Sequence, residues 1–190
     1  MKFIETKSDT FDVLLHGSTG GMNYSLMRKI FDVCCTQGHS VVSFDFPFYE
    51  REEEQSSGPE LTEELIVLKD VLAKCHAEKY KFVRLIGKSL GGIIGAKFLE
   101  GLSTDDQKKF TIIFFGYDIG SINLKNFDGK IVVIQGEKDR FGNIDAVKKD
   151  LEGAVSNDIT YFEVPNADHS FRNDQKDPVY EEVAIEFFKK

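Results

Sequence analysis

The segment FVRLIGKSLGG, from Phe82 to Gly92, places a serine in a setting suited to nucleophilic chemistry. An apolar, strand-like run leads into Gly-Lys-Ser-Leu-Gly, and a helix-like stretch follows at once. A G-x-S-x-G sequence between a strand and a helix is typical of a tight turn that holds the serine hydroxyl clear of the sheet in a strained backbone conformation. We therefore expect Ser89 to be a nucleophile, with the Leu90 N–H at the helix start stabilising an oxyanion.

Two other glycine motifs do not fit these residues. A phosphate-binding loop ending in Gly-Lys-Ser needs a glycine five positions before Gly87, where Phe82 stands. The dinucleotide-binding pattern G-x-G-x-x-G is absent from the whole chain. The glycines around Ser89 therefore favour a tight turn over a phosphate-binding loop.

A serine hydroxyl needs a base to accept its proton, and histidine is the side chain best matched to that task. His169 lies in VPNADHSF, after the last predicted strand. Because open α/β sheets bind ligands at the carboxyl ends of their strands, we expect His169 to be the base. His39 and His76 are expected to be surface or packed residues, and His16 is expected to shape a loop.

A catalytic histidine needs a carboxylate that fixes its tautomer. The segment IQGEKDRFG, a predicted strand end and turn, offers Asp139, which is our preferred candidate. Asp118, just past the preceding predicted strand, is the main alternative, and Glu137 is a weaker one. With Asp139, the chain order is Ser89, Asp139 and then His169, the order of nucleophile, acid and base expected of this architecture.

The glycine-rich segment VLLHGSTGGMNY, from Val13 to Tyr24, offers a second oxyanion donor. Here a predicted strand ends in His-Gly and opens a loop ahead of a helix. An oxyanion site needs backbone that approaches the substrate closely, which glycine permits. Ser18 is the first candidate for this N–H donor and Thr19 is the next.

Apolar runs alternate along the chain with stretches of helical periodicity, a pattern typical of βαβ units in a mostly parallel sheet. Six strands are predicted, at Val13–Leu15, Ser40–Phe46, Phe82–Ile86, Thr111–Phe115, Ile131–Gln135 and Thr160–Val164. Five helices are predicted, at Met22–Gln37, Pro59–Lys79, Leu90–Glu100, Ile144–Leu151 and Pro178–Lys189. The predicted fold is α/β: a doubly wound, mostly parallel sheet of about six strands with helices on both faces.

The chain has 190 residues, a length typical of one domain, and we expect a single domain over 1–190. The acidic segment Phe48–Gly58 is expected to be a solvated loop whose position after a strand allows it to form the rim of a cleft.

The composition excludes several classes of protein. A formal net charge of −8 disfavours nucleic-acid binding, which depends on clustered Lys and Arg. No apolar run approaches the roughly 18–20 residues of a membrane span, and the first residues lack the apolar core of a signal peptide, so a cytoplasmic location is predicted. The three cysteines form no C-x-x-C pair, which argues against a disulfide framework and a metal site.

The HGSTGG loop, the GKSLGG turn, the GEKD turn and the NADHSF loop make nearly the whole chain resemble an α/β-hydrolase. It is similar to the small, lidless serine hydrolases, such as dienelactone hydrolases and carboxylesterases. The resemblance implies attack on a carbonyl by Ser89, with His169 as base and then acid and Asp139 orienting it. It also implies an oxyanion hole formed by the N–H groups of Ser18 and Leu90, and no metal or organic cofactor.

Three features depart from that pattern. Lys88 stands where many relatives have histidine or another residue, which tunes the charge near the nucleophile. The stretch between Phe110 and Lys130 has no room for a cap domain, and the loop from Phe46 to Gly58 lacks the glycine-rich pattern common there. These departures leave the substrate less defined than the fold.

The predicted function is cleavage of a small to medium ester or thioester through an acyl-serine intermediate. Phe46, Phe141 and Phe171 lie on predicted loops near the site and either line an apolar acyl pocket or pack at its rim. The expected partner is a small-molecule substrate. The alternatives are an inactive binding module of the same fold, or peptidase or lyase chemistry on the same residues.

Overall fold

Seven strands form one sheet in the computed structural model, which describes residues 1–122 and 124–190. The strands are β1 (Lys2–Ile4), β2 (Thr10–Leu15), β3 (Ser40–Ser43), β4 (Phe82–Lys88), β5 (Phe110–Phe115), β6 (Lys130–Gly136) and β7 (Ile159–Val164). Their order across the sheet is β1-β3-β2-β4-β5-β6-β7, and all neighbours are parallel except β1, which runs antiparallel to β3. The predicted α/β class and mostly parallel sheet are confirmed.

The six predicted strands are all present, and β1 is the strand that the sequence did not predict. It has three residues at the sheet edge, and two of them are exposed, so no apolar run marks it. The predicted strand Ser40–Phe46 is too long, because β3 ends at Ser43 and the next residues leave the sheet.

The five predicted helices are present: Leu90–Glu100 has the predicted bounds, and the other four have shifted ends. Two further short helices, Pro47–Glu50 and Thr104–Gln107, were not predicted. The helix predicted at Pro59–Lys79 ends at Lys74, and a separate 3-10 turn follows at Ala77–Lys79. The helices are α1 (Ser25–Thr36), α2 (Pro47–Glu50), α3 (Thr62–Lys74), α4 (Leu90–Glu100), α5 (Thr104–Gln107), α6 (Ile144–Asp150) and α7 (Glu181–Phe188).

The sheet separates two apolar layers, as the alternation of side chains along β4 shows. Val83 and Leu85 face a cluster that includes residues of α3, α4 and α6. Ile86 faces the opposite cluster, built with residues of α1 and α7. Burial on both faces explains why β4 is apolar along most of its length, since side chains of a strand alternate between the two faces.

The parallel strands β2 to β7 all end at the same edge of the sheet. The loops that follow β2, β4, β5, β6 and β7 therefore meet there, and they carry every residue predicted for the reaction. Among residues 1–122 and 124–190, none of the helices combines the length and the apolar character that a bilayer crossing requires.

Candidate active site

The turn between β4 and α4 holds Ser89 in an unusual backbone conformation. Its φ is 48° and its ψ is −117°, a region that residues other than glycine rarely adopt. The Ser89 N–H donates to the Phe115 carbonyl at 3.2 Å, which fixes the turn to the end of β5. The strain is localised at the predicted nucleophile, as is common at functional sites.

The glycines around Ser89 are required by close approach of backbone. A Cβ on Gly87 would lie 2.4 Å from the Gly92 nitrogen, and a Cβ on Gly91 would lie 2.0 Å from the Leu15 carbonyl oxygen. Both distances are far below van der Waals contact. The start of α4 therefore packs directly on the ends of β4 and β2, which no larger residue at positions 87 and 91 permits.

The glycine-rich loop after β2 lies against this turn. A Cβ on Gly17 would be 3.1 Å from the Lys88 carbonyl oxygen and 3.7 Å from the Ser89 Cβ. The loop is anchored by the Met22 N–H, which donates to Asp45 Oδ1 at 2.6 Å.

The two amide groups predicted for the oxyanion hole are placed on either side of this contact. Ser18 follows Gly17 in the loop, and Leu90 begins α4 directly after Ser89. Among the described residues, neither the Ser18 nor the Leu90 N–H has a hydrogen-bond partner, so both are free to donate to a bound oxygen.

His16, the histidine of this loop, is a structural residue. Its Nδ1 donates to the Gly17 carbonyl at 2.6 Å and its Nε2 accepts the Phe46 N–H at 2.9 Å, so the ring is neutral and both nitrogens are occupied. Burial lowers its pKa. His16 therefore ties the loop to the segment after β3.

Asp139 and His169 form a close pair at the ends of β6 and β7. Nδ1 of His169 donates to Oδ2 of Asp139 at 2.7 Å. The Asp139 side chain is buried, and its Oδ1 accepts the Phe141 N–H at 2.9 Å. Asp118, the main alternative acid, lines the same cleft, but no hydrogen bond joins it to His169 among the described residues.

Gln135, in β6, is a residue that the sequence reasoning missed. Its buried amide donates to Asp139 Oδ2 at 3.0 Å and to the Gly142 carbonyl at 2.7 Å, and its Oε1 accepts the Tyr117 N–H at 2.7 Å. It therefore fixes the Asp139 carboxylate. The signal in the sequence is a glutamine at the end of an apolar strand, four residues before Asp139.

Ser89 and His169 both line a cleft of about 760 Å³ at this edge of the sheet. Nε2 of His169 is buried and has no hydrogen-bond partner among the described residues. The Ser89 hydroxyl likewise makes no hydrogen bond within that part of the chain, so the two groups share the cleft without being bonded. Catalytic hydrogen bonds of free enzymes are often long and tighten only when substrate binds.

Of the three phenylalanines predicted at the site, only Phe141 lines the cleft, with its ring edge-on to His169 at 4.7 Å between centroids. The prediction that Phe46 and Phe171 line the substrate pocket is wrong. Both are fully buried: Phe46 packs with Phe44 in the core, and Phe171 packs against Phe115. Phe171 follows a strand as predicted. Phe46 was placed at the end of a predicted strand but lies beyond β3, which ends at Ser43, and both rings turn inward.

The acidic segment after β3 forms part of the cleft rim, through residues that include Glu54 and Gly58. The conformation of this segment is stabilised by the buried Glu64 carboxylate in α3, which accepts hydrogen bonds from the N–H and the hydroxyl of Ser57. At the surface, Arg51 pairs with Glu53 of the same segment and with Glu63 of α3. The segment is thus a structured rim whose first turn is α2.

Lys88 carries the one buried ammonium among the described residues of the cleft. It is 6 % exposed and lines the cleft, and no described residue forms a hydrogen bond or ion pair with it. A Cβ on Gly116 would lie 3.1 Å from Lys88 Nζ and 3.0 Å from His169 Cε1, so the two side chains flank one glycine. Burial lowers the Lys88 pKa to about 8.

The described residues contain no group of three or more His, Cys, Asp or Glu side chains that could hold a metal ion. Cys34, Cys35 and Cys75 are free thiols. The described site thus offers a serine, an imidazole–carboxylate pair and two free amide donors, a set suited to acyl transfer.

Residues 9–188 match the family model described as the alpha/beta hydrolase domain. The chain belongs to the α/β hydrolase family. The described residues hold the core sheet and helices of this family and no cap domain.

Several solved α/β hydrolases have a similar fold. An α/β serine hydrolase homologue from Coxiella burnetii is 20% identical, with a TM-score of 0.72 over 96% of this chain and 86% of that one. An α/β serine hydrolase without lid from Xanthomonas campestris is 17% identical, with a TM-score of 0.70 over 95% and 78%. A monoacylglycerol lipase from Paleococcus ferrophilus is 12% identical, with a TM-score of 0.69 over 100% and 99%. A search among curated proteins found no significant match.

Proposed function

We propose that this α/β hydrolase is a serine hydrolase that cleaves a small to medium ester or thioester through an acyl-Ser89 intermediate. The observation that carries the proposal is the 2.7 Å contact between Asp139 and His169 beside the strained turn at Ser89. The solved proteins of similar fold are described as serine hydrolases and a lipase, which favours the same class of reaction.

In the first half of the reaction, the Ser89 hydroxyl attacks the substrate carbonyl while Nε2 of His169 takes its proton. The buried Asp139 carboxylate holds the proton on Nδ1 and stabilises the imidazolium that forms. The carbonyl oxygen becomes an oxyanion and accepts hydrogen bonds from the Ser18 and Leu90 amides. Collapse of this intermediate breaks the bond to the leaving group, which receives the proton from Nε2.

In the second half, water attacks the acyl-serine and gives a proton to the same nitrogen of His169. The two amides again hold the oxyanion, and the Ser89 oxygen leaves with the proton from the imidazolium. The acid is released and the free hydroxyl is restored. Each half moves one proton through Nε2, a nitrogen that has no hydrogen-bond partner among the described residues and is therefore free to accept it.

The test is reaction with a fluorophosphonate probe, which phosphonylates activated serines. Wild-type protein is expected to gain one phosphonyl group on the peptide containing Ser89, and Ser89→Ala is expected to gain none. Turnover of p-nitrophenyl butyrate is expected to fall by about 10⁴–10⁶ in Ser89→Ala, because the nucleophile is lost.

Ser121→Ala is the matched control, because Ser121 lines the same cleft but lies outside the proposed mechanism. This variant is expected to react like wild type. Circular dichroism checks that each variant is folded. Wild-type protein that stays unlabelled, or Ser89→Ala that is labelled as fast as wild type, contradicts the proposed function.

A further inference from the structure

Three cationic side chains, Lys88, Arg140 and Arg172, line the cleft of a chain whose net charge is −8. None of the three forms an ion pair with any described carboxylate. The cleft also contains two carboxylates, Glu54 and Asp118, so the formal charge of its lining is one positive unit with histidine neutral.

The Lys88 ammonium is the most buried of these cations. Burying an ammonium without a partner is costly, because it loses hydration that nothing replaces. Along β4, Lys88 shares a face with Arg84 and Ile86, the side of the sheet covered by α1 and α7. Its Cγ passes close to Gly17, so the chain of methylenes runs beneath the glycine-rich loop toward His169.

The Arg172 guanidinium lies on the same side of the cleft. Its Nη2 donates to the Tyr24 hydroxyl at 3.2 Å, and Tyr24 stands just before α1. Its Nε is buried and has no partner among residues 1–122 and 124–190. A guanidinium whose Nε–H is buried and free can bind a carboxylate through the fork formed by Nε and an Nη.

Both the Lys88 ammonium, which has no partner among the described residues, and the Arg172 guanidinium, whose Nε has none, line the cleft and are best explained by an anionic group of the substrate. We propose that the cleft selects esters or thioesters that carry a carboxylate, which the Lys88 ammonium and the Arg172 guanidinium bind on the α1 side of Ser89. This inference rests on the proposed hydrolase function. A monoanion matches the single positive charge of the lining, whereas a dianion would leave excess negative charge beside Asp118 and Glu54.

The test compares matched substrates that differ in one charge. On the acyl side, mono-p-nitrophenyl glutarate is paired with p-nitrophenyl methyl glutarate. On the leaving-group side, 4-acetoxybenzoate is paired with methyl 4-acetoxybenzoate. In at least one pair, wild type is expected to hydrolyse the carboxylate about tenfold or more faster in kcat/KM than its neutral partner, a preference set by charge-assisted hydrogen bonds.

Two variants remove the proposed contacts, Lys88→Met and Arg172→Gln. Each is expected to reduce the ratio of kcat/KM for the charged over the neutral ester by about tenfold. A merely structural role would lower both substrates together and leave the ratio unchanged. Lys149→Met and Arg28→Gln remove exposed cations outside the cleft and are expected to keep the wild-type ratio.

The outcomes separate this inference from the proposed function. If wild type shows no preference for the carboxylate in either pair, or if both variants keep the wild-type ratio, the inference is overturned. In that case fluorophosphonate labelling of Ser89 still stands as evidence for the hydrolase. If no ester is cleaved and Ser89 is not labelled, both proposals fail together.

Discussion

Strand β4 carries two basic side chains on the same face, one near each end, and only the one near its start is paired with a carboxylate. At its start, the Arg84 guanidinium binds the buried Asp12 carboxylate through two hydrogen bonds of 2.5 and 2.7 Å. His39 adds a third contact to Asp12 at 3.0 Å. Burial alone would raise the Asp12 pKa, but the hydrogen bonds from Arg84 and His39 lower it.

At the other end of β4, four residues later, the Lys88 ammonium has no partner among the described residues. The same edge holds the unpaired Nε2 of His169 and the unpaired Nε of Arg172. The fold pairs the Arg84 guanidinium with a carboxylate and leaves these three groups at the carboxyl ends of the strands without a partner. On the proposal above, charge at the first end stabilises the fold and charge at the second end binds the substrate carboxylate.

The largest expected effect is a difference in the free energy of unfolding between variants at the two ends of β4. Asp12→Ala leaves the largely buried Arg84 without its carboxylate and is expected to lower the free energy of unfolding by roughly 3–5 kcal/mol. Lys88→Met removes an ammonium that has no partner to lose and is expected to leave this free energy unchanged or raise it. Urea unfolding followed by circular dichroism measures both values.

If Asp12→Ala and Lys88→Met lower the free energy of unfolding equally, the proposed difference between the two ends of β4 is wrong. A matched control is Lys97→Met, which removes the surface pair with Glu60 and a hydrogen bond to the Pro59 carbonyl, and is expected to change the free energy of unfolding by at most about 1 kcal/mol.

A smaller effect concerns the pH at which the carboxylate preference is lost. Burial lowers the Lys88 pKa to about 8, so the ammonium is charged at pH 7 and neutral above pH 9. Four charged side chains in or near the cleft act on it: Asp139, Asp168 and Asp118 favour the charged form, and Arg140 opposes it. The preference for the charged ester is therefore expected to fall up to about tenfold as pH rises from 7 to 9.

The measurement is the ratio of kcat/KM for the paired esters, corrected for spontaneous hydrolysis, between pH 6.5 and 9.5. Lys88→Met serves as the control, since it has no ammonium to lose, and its ratio is expected to vary less with pH than that of wild type. A wild-type ratio that stays constant over this range would show that Lys88 does not supply the charge.

Much of the fold was predictable because its strands are buried on both faces. A strand such as β5 is apolar along nearly its whole length, so its sequence stands out from the helices beside it. By contrast, β1 has three residues at the edge of the sheet, and its pairing with β3 depends on contacts far along the chain. The residues of β1 and their neighbours in the sequence therefore do not predict this pairing.

The candidate site was predictable where chemistry restricts the residue type, and not where only packing decides. The close approach of backbone around Ser89 demands glycine, which leaves a visible motif. Whether a phenylalanine after a strand faces the cleft or the core depends on the turn: Phe171 has a φ of 57° and lies in the core. The burial of Lys88 and the hydrogen bond from Gln135 to Asp139 likewise depend on how the strands pack, so the sequence did not predict them.

The most direct single measurement is a crystal structure of the protein after reaction with a phosphonate probe that bears a carboxylate. The account predicts phosphorus bonded to Ser89 Oγ and a phosphonyl oxygen within hydrogen-bond distance of the Ser18 and Leu90 amides, with the probe carboxylate on Lys88 and Arg172. Phosphorus on another residue, or a carboxylate directed away from both cations, would contradict it.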